Sequence, residues 1–190
     1  EEKHKLITSI TDILFSSEKQ KYLGVEVGLE TGSVKLARKI MPAKAAPYPA
    51  EMYPQIVEDA FSIMHEHNII PAATLIVGLP GEEPDDVVAT TELVERLRPY
   101  RSLIVPMFFV PMGAFKNLEW FRRNAIRPEH VELLKATLRH SAYWARDIVD
   151  RFYLKGARYV LVRAIIKWII NYIERKAEEA ARAVERAASS

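Results

Sequence analysis

The stretch LIVGLPGEEPDD, residues 75–86, most constrains the fold, because an apolar run changes within a few residues to glycines and then acids. The run at 72–77 is short, continuous and rich in β-branched residues, which predicts a strand covered on both faces. The acids and the proline after it predict a helix start. The glycines between them then form a strand-to-helix loop, where α/β folds bind ligands. A plain turn, whose glycines only permit tight curvature, is the alternative.

Two further segments predict strands of the same sheet. Residues 22–29 alternate in hydropathy, so Glu26, Gly28 and Glu30 share one face and apolar residues share the other. In a buried sheet, the two carboxylates would point at something polar in the interior, with Gly28 leaving room between them. The apolar run at 103–110 contains prolines, which indicates a short strand that passes into a loop.

Helical segments separate these strands. The sequence predicts helices at 34–40, capped by Ser33, and at 50–67 and 85–97. A Pro/Ala-rich stretch at 41–54 is long enough to suggest a role beyond connection. The resulting alternation of helix and strand is typical of consecutive parallel βα units.

The carboxy-terminal part has a different character. Proline is absent after Pro128 and glycine is nearly so, which predicts two long helices at about 128–154 and 157–187. In the second, polar residues recur every four positions through an otherwise apolar segment: Arg163, Lys167 and Asn171. The simplest interpretation is a helix that packs on the α/β part or on a second copy of the chain. A helix lying on a membrane surface is a less favoured alternative.

Composition excludes several classes of site. The chain contains no cysteine, which rules out disulfides, zinc–thiolate sites, thiol nucleophiles and thiolate-bound iron–sulfur clusters within it. The net charge of +2 and the acids at the expected ligand edge argue against a nucleic-acid partner. Neither a signal peptide nor a run of about 18 apolar residues is evident, so a cytoplasmic protein is expected.

Local motifs give no catalytic or metal assignment. The GLPG loop is neither a P-loop nor a Rossmann fingerprint, because the required spacing and the Lys-Ser/Thr pair are absent. His65 and His67 are two apart on a predicted helix and point in different directions, which disfavours a metal site. His130 and His140 are interpreted as ordinary helix positions.

An ordered set of three segments carries a family resemblance. The segments are GVEVGLETGSVKLARK at 24–39, PAATLIVGLPGEEPDDVVATTELVERL at 71–97 and LIVPMFFVPMG at 103–113. Together they resemble the fourth, fifth and sixth βα units of radical S-adenosylmethionine (SAM) enzymes, and most closely archaeal members with a cobalamin-binding domain ahead of the barrel. The likeness covers about half of the chain, from 22 to 113.

The resemblance implies a half TIM-type barrel, SAM, a four-iron cluster and possibly cobalamin in the complete enzyme. By the family pattern, Glu30 would reach the ribose or the amino-acid end of SAM. Ile76 and Val77 would pack on adenine, Gly78 would allow close backbone approach, and the sixth strand at Pro106 and Met107 would flank the pocket. The expected SAM-contacting set is Glu26, Gly28, Glu30, Ile76, Val77, Gly78 and Met107.

One departure from the family is severe. The three-cysteine motif and the glycine-rich second-strand segment are both absent. We therefore expect residues 1–125 to be the carboxy-terminal half of a barrel and 126–190 a helical region, not catalytically competent alone. The partner implied is the missing amino-terminal half.

The alternative is a non-catalytic α/β module that binds a protein partner through the 157–187 helix. A half-barrel has open sheet edges. We therefore expect either self-association, through the sheet edge or the carboxy-terminal helix, or terminal segments folded over the edge.

Overall fold

The computed structural model describes residues 2–16, 21–113, 116–119, 121, 125–154 and 156–188. Within these residues, six α-helices and three strands follow one another in the order helix, strand, helix, helix, strand, helix, strand, helix, helix. The helices are α1 (Glu2–Leu14), α2 (Val34–Ile40), α3 (Tyr53–Glu66), α4 (Pro84–Arg96), α5 (Pro128–Ile148) and α6 (Val160–Ala188). The strands are β1 (Leu23–Glu30), β2 (Ile69–Val77) and β3 (Leu103–Phe108).

The three strands form one parallel sheet in the order β1-β2-β3. Leu23 lies opposite Ile69, and Ala72 lies opposite Leu103. This confirms the α/β class with consecutive parallel βα units. β2 begins three residues before the predicted start, because pairing with β1 already includes Pro71. The proline is tolerated there since the β2–β3 ladder begins only at the next residue.

Among the described residues, helices cover one face of the sheet along its length and the other face only at its amino end, where Ile70 packs on Trp144 and Ile148 of α5. Ala73, Leu75 and Val77 of β2 are fully buried and pack into the main core with α3, α4 and α5. The intervening residues of β2 are half-buried, and Val105 and Met107 of β3 are exposed on the same side. The prediction that β2 is covered on both faces is therefore wrong among the described residues. A continuous apolar run carries no alternation from which the exposed face could be recognised.

Local signals account for the helix boundaries. Ser33 caps α2 by accepting a hydrogen bond from the backbone N–H of Leu36 at 3.2 Å, as predicted. The helix predicted at 50–67 consists of a 3-10 turn (Ala50–Met52) and α3. α3 ends at Glu66, two residues before Asn68, which adopts a left-handed conformation with φ of 53°.

α5 belongs to the same core as the sheet. Its Leu133 and Ala136 lie in the main core cluster. Its Ser141 hydroxyl donates to the carbonyl of Ile104 and accepts from the N–H of that residue, both at 2.8 Å. These bonds satisfy the free edge of β3 near the start of the strand, which is one way in which proteins protect an exposed edge.

α6 is oriented against expectation. Its polar stripe, predicted from Arg163, Lys167 and Asn171, faces α5 and the turn that follows α5. Arg146 of α5 donates to the side chain of Asn171 at 2.6 Å, and Lys167 Nζ lies 2.6 Å from Oδ2 of Asp150 in the turn. Its apolar side is exposed instead. The sequence predicted that the apolar side would pack either on the α/β part or on a second copy of the chain. The first of these two predictions is wrong. No helix among the described residues is long and apolar enough to cross a membrane.

His140 of α5 is buried beside the start of β3. Its Nε2 lies 2.7 Å from the hydroxyl of the fully buried Ser102. Burial, with a smaller contribution from the charge of Arg98, lowers the pKa of His140 from 6.5 to about 4, despite the hydrogen bond with Ser102. The imidazole is therefore neutral in the folded protein at neutral pH.

We expect the free energy of unfolding to fall as the pH is lowered from 6.5 toward 4. In that window the unfolded chain takes up a proton on His140 and the folded chain does not, so acid favours unfolding by roughly 1–3 kcal/mol. His140→Gln removes this titration while keeping a hydrogen-bond donor. Urea unfolding at several pH values should give a flatter profile for the variant, and parallel profiles would contradict the assignment.

Candidate functional site

The carboxyl ends of the three strands meet at one edge of the sheet and border a cleft of about 530 Å³. Its polar lining includes Glu30 and Lys44, and its apolar lining includes Ile76 and Met107. Other cavities lie between helices. The one between α4 and α5 has arginines already paired with carboxylates, Arg96 with Glu58 and Arg139 with Glu95. The strand-end cleft is therefore the candidate site.

A bulge at the end of β1 sets the position of Glu30. Gly28 lies opposite Thr74 and Glu30 opposite Leu75, so β1 contains one extra residue. Glu30 adopts a left-handed conformation with φ of 63°. Its side chain folds back over Gly28, where an added Cβ would lie only 2.2 Å from Glu30 Oε1. Gly28 thus leaves the space that the Glu30 carboxylate occupies.

The Pro/Ala-rich stretch after α2 brings two further residues to Glu30. Lys44 Nζ lies 3.4 Å from Glu30 Oε1, with both side chains partly exposed. The hydroxyl of Tyr53 donates to the carbonyl of Leu29 at 2.7 Å. Burial, with a smaller contribution from the charge of Glu30, raises the pKa of this tyrosine well above its usual value. Sequence reasoning missed both residues, although the length of the stretch was a signal.

The apolar wall of the cleft comes from the middle and edge strands. Ile76 lies opposite Met107 in the parallel register, and both line the cleft. Val77 points to the opposite side and is fully buried in the helix-covered core. The structure therefore does not place Val77 at the predicted adenine contact, because successive side chains of a strand alternate between faces.

The loop after β2 brings an aromatic ring onto the backbone. Gly78 has φ of 80°, and an added Cβ would lie 2.1 Å from Cδ2 of Phe121. The Phe121 ring also stacks on Phe108, with ring centroids 5.7 Å apart. The flat group that approaches the Gly78 backbone closely is thus a side chain of the same protein and not the predicted ligand. Sequence reasoning missed Phe121.

A buried carboxylate–imidazole pair secures this loop. Glu82 Oε1 accepts from the N–H of Gly78 at 2.9 Å and lies 2.8 Å from His130 Nε2. His130 Nδ1 accepts from the N–H of Arg127 at 3.0 Å, so in the neutral ring Nε2 carries the proton and donates to Glu82. His130 was interpreted as an ordinary helix position, yet it ties the start of α5 to the loop after β2.

A second polar cluster joins the loop after β1 to α4. Thr90 Oγ1 donates to the carbonyl of Asp86 at 2.8 Å and accepts from the N–H of Gly32 at 2.9 Å. Since its single proton is used, the Thr31 hydroxyl is the donor in the 3.1 Å contact between the two threonines. A Cβ on Gly32 would lie 2.6 Å from Thr90 Cα. The TGS segment and the residues of α4 that carry the family resemblance are therefore in direct contact.

Asp86 is the charged centre of this cluster. It accepts from the Ser33 hydroxyl at 2.6 Å, from Lys35 Nζ at 2.8 Å and from the N–H of Glu83 at 2.9 Å. Burial opposes its ionisation, but the bonds from Lys35, Ser33 and Glu83 outweigh that cost and hold its pKa below the usual value. We call Thr31, Gly32, Ser33, Asp86 and Thr90 the Asp86 cluster.

Glu26, a predicted site residue, and His65, at which a metal site was disfavoured, both lie outside the cleft. Glu26 is exposed to solvent and does not line it, so it does not share an interior site with Glu30. His65 Nδ1 accepts from the N–H of Arg101 at 2.8 Å. Among the residues that the structure describes, no group of three or more His, Cys, Asp or Glu side chains is arranged to hold a metal ion.

Comparison with known proteins adds no assignment. No protein-family model matches the chain, and no curated protein matches it. The geometry of the cleft is therefore the basis for any functional proposal.

We expect Asp86→Asn to lower the free energy of unfolding by about 2–3 kcal/mol at pH 7. Both carboxylate oxygens of Asp86 accept hydrogen bonds, and the substitution replaces one of them with an NH2 group, which cannot accept. The folded pKa of Asp86 is depressed, so its contribution is present above the ordinary value of 3.8 and is lost as the pH falls below it. Denaturant unfolding at pH 7 and pH 3 should give a smaller difference between wild type and variant at pH 3.

Asp85→Asn is the matched control. Asp85 is in the same helical turn but is exposed. Its substitution should change stability by less than about 0.5 kcal/mol. Equal effects of the two substitutions would show that the Asp86 cluster has no special role.

Proposed function

We propose that this chain forms one wall of a SAM-binding pocket in a barrel of the radical SAM type. The observation that carries the proposal is the Glu30–Lys44 pair beside an apolar wall at the carboxyl ends of parallel strands. Parallel α/β sheets bind ligands at that edge. The likeness of the 22–113 region to the fourth to sixth units of such barrels supports the same assignment.

The chemistry of the lining suits this ligand. SAM has an apolar, flat base, a diol and a zwitterionic amino-acid end. The Glu30 carboxylate accepts hydrogen bonds from hydroxyl or ammonium groups, and the Lys44 ammonium pairs with a carboxylate. Ile76 and Met107 supply the apolar surface for the base. Each part of the ligand thus has a counterpart within one cleft.

The four-iron cluster does not fit this chain. Such clusters are held by cysteine thiolates, and the sequence contains none. The chain's contribution is accordingly to bind and orient the nucleoside and amino-acid parts of the ligand. In this proposal the cluster ligands, and any cobalamin site, belong to the amino-terminal half of the barrel.

The uncovered parts of the sheet are the proposed contact with that half. Among the described residues, no strand pairs with the outer edge of β1. The face of the sheet that carries Val105 and Met107 is open. Further strands that pair with β1 would extend the sheet toward a TIM-type barrel and enclose this face as its interior.

The proposal predicts weak but specific binding of SAM and of S-adenosylhomocysteine to the chain. Because the chain supplies only one wall of the pocket, we expect dissociation constants in the millimolar range, which correspond to a binding free energy of about −4 kcal/mol. Glu30→Gln should weaken binding at least about fivefold, as expected for a lost charged hydrogen bond. Calorimetric titration measures both values, and circular dichroism melting should show an unchanged fold.

Glu26→Gln is the matched control, because Glu26 lies on the same strand but outside the cleft. It should leave binding unchanged. Gly28→Ala displaces the Glu30 carboxylate, whose Oε1 would lie 2.2 Å from the new methyl group, and should weaken binding like Glu30→Gln. Equal effects of the Glu26 and Glu30 substitutions on SAM binding would contradict the proposal. So would the absence of SAM binding to the wild-type chain at ligand concentrations about tenfold above the expected dissociation constant.

A further inference from the structure

Among the described residues, α6 exposes more large apolar side chains than any other helix, and they lie on its outward side. Leu161, Ile165, Trp168 and Tyr172 are exposed by 72, 50, 65 and 43%. Their spacing of four, three and four residues puts them in one line along the helix. Val162, Ile169 and Ile173 flank that line and are also exposed. We call the four aligned residues the α6 seam.

The opposite side of α6 is polar and already has partners. Lys167 pairs with Asp150 of the turn after α5, Glu174 pairs with Arg146, and Arg163 donates to the carbonyl of Leu154 at 3.0 Å. A membrane-surface helix presents Lys and Arg to the headgroups along its apolar face. Here Arg163 and Lys167 are directed to α5 instead, which disfavours a lipid surface as the occupant of the seam.

The size of the exposed area fits a protein interface. The eight exposed large apolar residues between Val160 and Ile173 present on the order of 800 Å² together, which equals the roughly 800 Å² per partner of a standard stable interface. The seam spacing is that of residues that interdigitate between two helices. A helix from another protein molecule is therefore the kind of surface that fits it.

Charges at the two ends of the seam select the partner and its direction. Arg158, in the 3-10 turn Ala157–Tyr159 that leads into α6, lies three residues before the seam. Glu179 lies seven residues after it and is also 2.6 Å from Lys176 Nζ of the same helix, and both Arg158 and Glu179 are exposed. Two antiparallel copies of α6 would place each Arg158 opposite the Glu179 of the other copy, whereas parallel copies would place like charges together. We propose that two copies of this chain associate through antiparallel α6 seams, with the two-fold axis beside Trp168.

The interface is isologous, since each copy contributes the same surface. It lies away from the strand-end cleft, and it does not depend on the proposed SAM function. Each copy keeps its α5–α6 ion pairs, because these face away from the seam. The dimer thus covers an apolar side of α6 that the described part of the chain leaves exposed.

The molecular mass of the protein, measured by light scattering as it elutes from a size-exclusion column, tests the association. The wild-type chain should have twice the mass of one chain at micromolar concentrations, and Trp168→Glu should convert it to a monomer. Val88→Glu is the matched control, since Val88 is an exposed aliphatic residue of α4 with 44% exposure, and it should remain a dimer. Circular dichroism should show both variants folded. A wild-type monomer at 100 micromolar, or a Trp168→Glu dimer, would overturn the proposal.

The absence of cysteine permits a clean test of direction. Under oxidation, Trp168→Cys should cross-link two copies beside the axis. Leu161→Cys should not, because antiparallel packing separates its two copies by on the order of 20 Å. Cross-linking of Leu161→Cys as well as Trp168→Cys indicates parallel packing and contradicts the proposal.

Charge reversal gives an independent readout that needs no change in the seam. Arg158→Glu and Glu179→Arg should each weaken dimerisation severalfold, and the double variant should restore it. If the single variants weaken dimerisation and the double variant does not restore it, the antiparallel arrangement is overturned. Binding of a wild-type monomer to phosphatidylcholine–phosphatidylserine vesicles, with release in Trp168→Glu, would assign the seam to a membrane surface and also overturn the proposal.

Discussion

The buried carboxylate of Asp86 is the constraint on which the rest of the ligand edge depends. A buried charge is tolerated only when donors surround it, and here the donors come from both α4 and the loop after β1. Gly32 permits that loop to touch α4. The loops after β1 and β2 are consequently fixed relative to each other. That arrangement positions Glu30 and Gly78 at the same edge of the sheet.

Local sequence signals were sufficient for the order of the elements. Ser33, Asn68 and Gly78 mark boundaries through side-chain capping and left-handed backbone geometry, which depend on neighbouring residues alone. The family resemblance pointed to Glu30, Ile76 and Met107, and all three line the cleft. The order of the elements and part of the cleft lining were therefore accessible without a structure.

Tertiary contacts determined the remainder, and they have no local signal. Lys44, Phe121 and His130 reach the site from loops and from α5, up to 48 residues from their partners. The direction of α6 was missed for a related reason. Periodicity divides a helix into a polar and an apolar side, but it does not tell which side faces the protein when Arg146 and Asp150 of the neighbouring segment are charged.

The methionine methyl groups offer the most direct test of the cleft as a ligand site. The chain has five methionines, of which Met41, Met107 and Met112 line the cleft, whereas Met52 and Met64 do not. In a spectrum of methyl-¹³C-methionine protein titrated with S-adenosylhomocysteine, the three cleft signals should shift along one saturable curve. The other two should stay in place. Shifts of Met52 and Met64 equal to those of the cleft methionines, or no shift at all, would contradict the account.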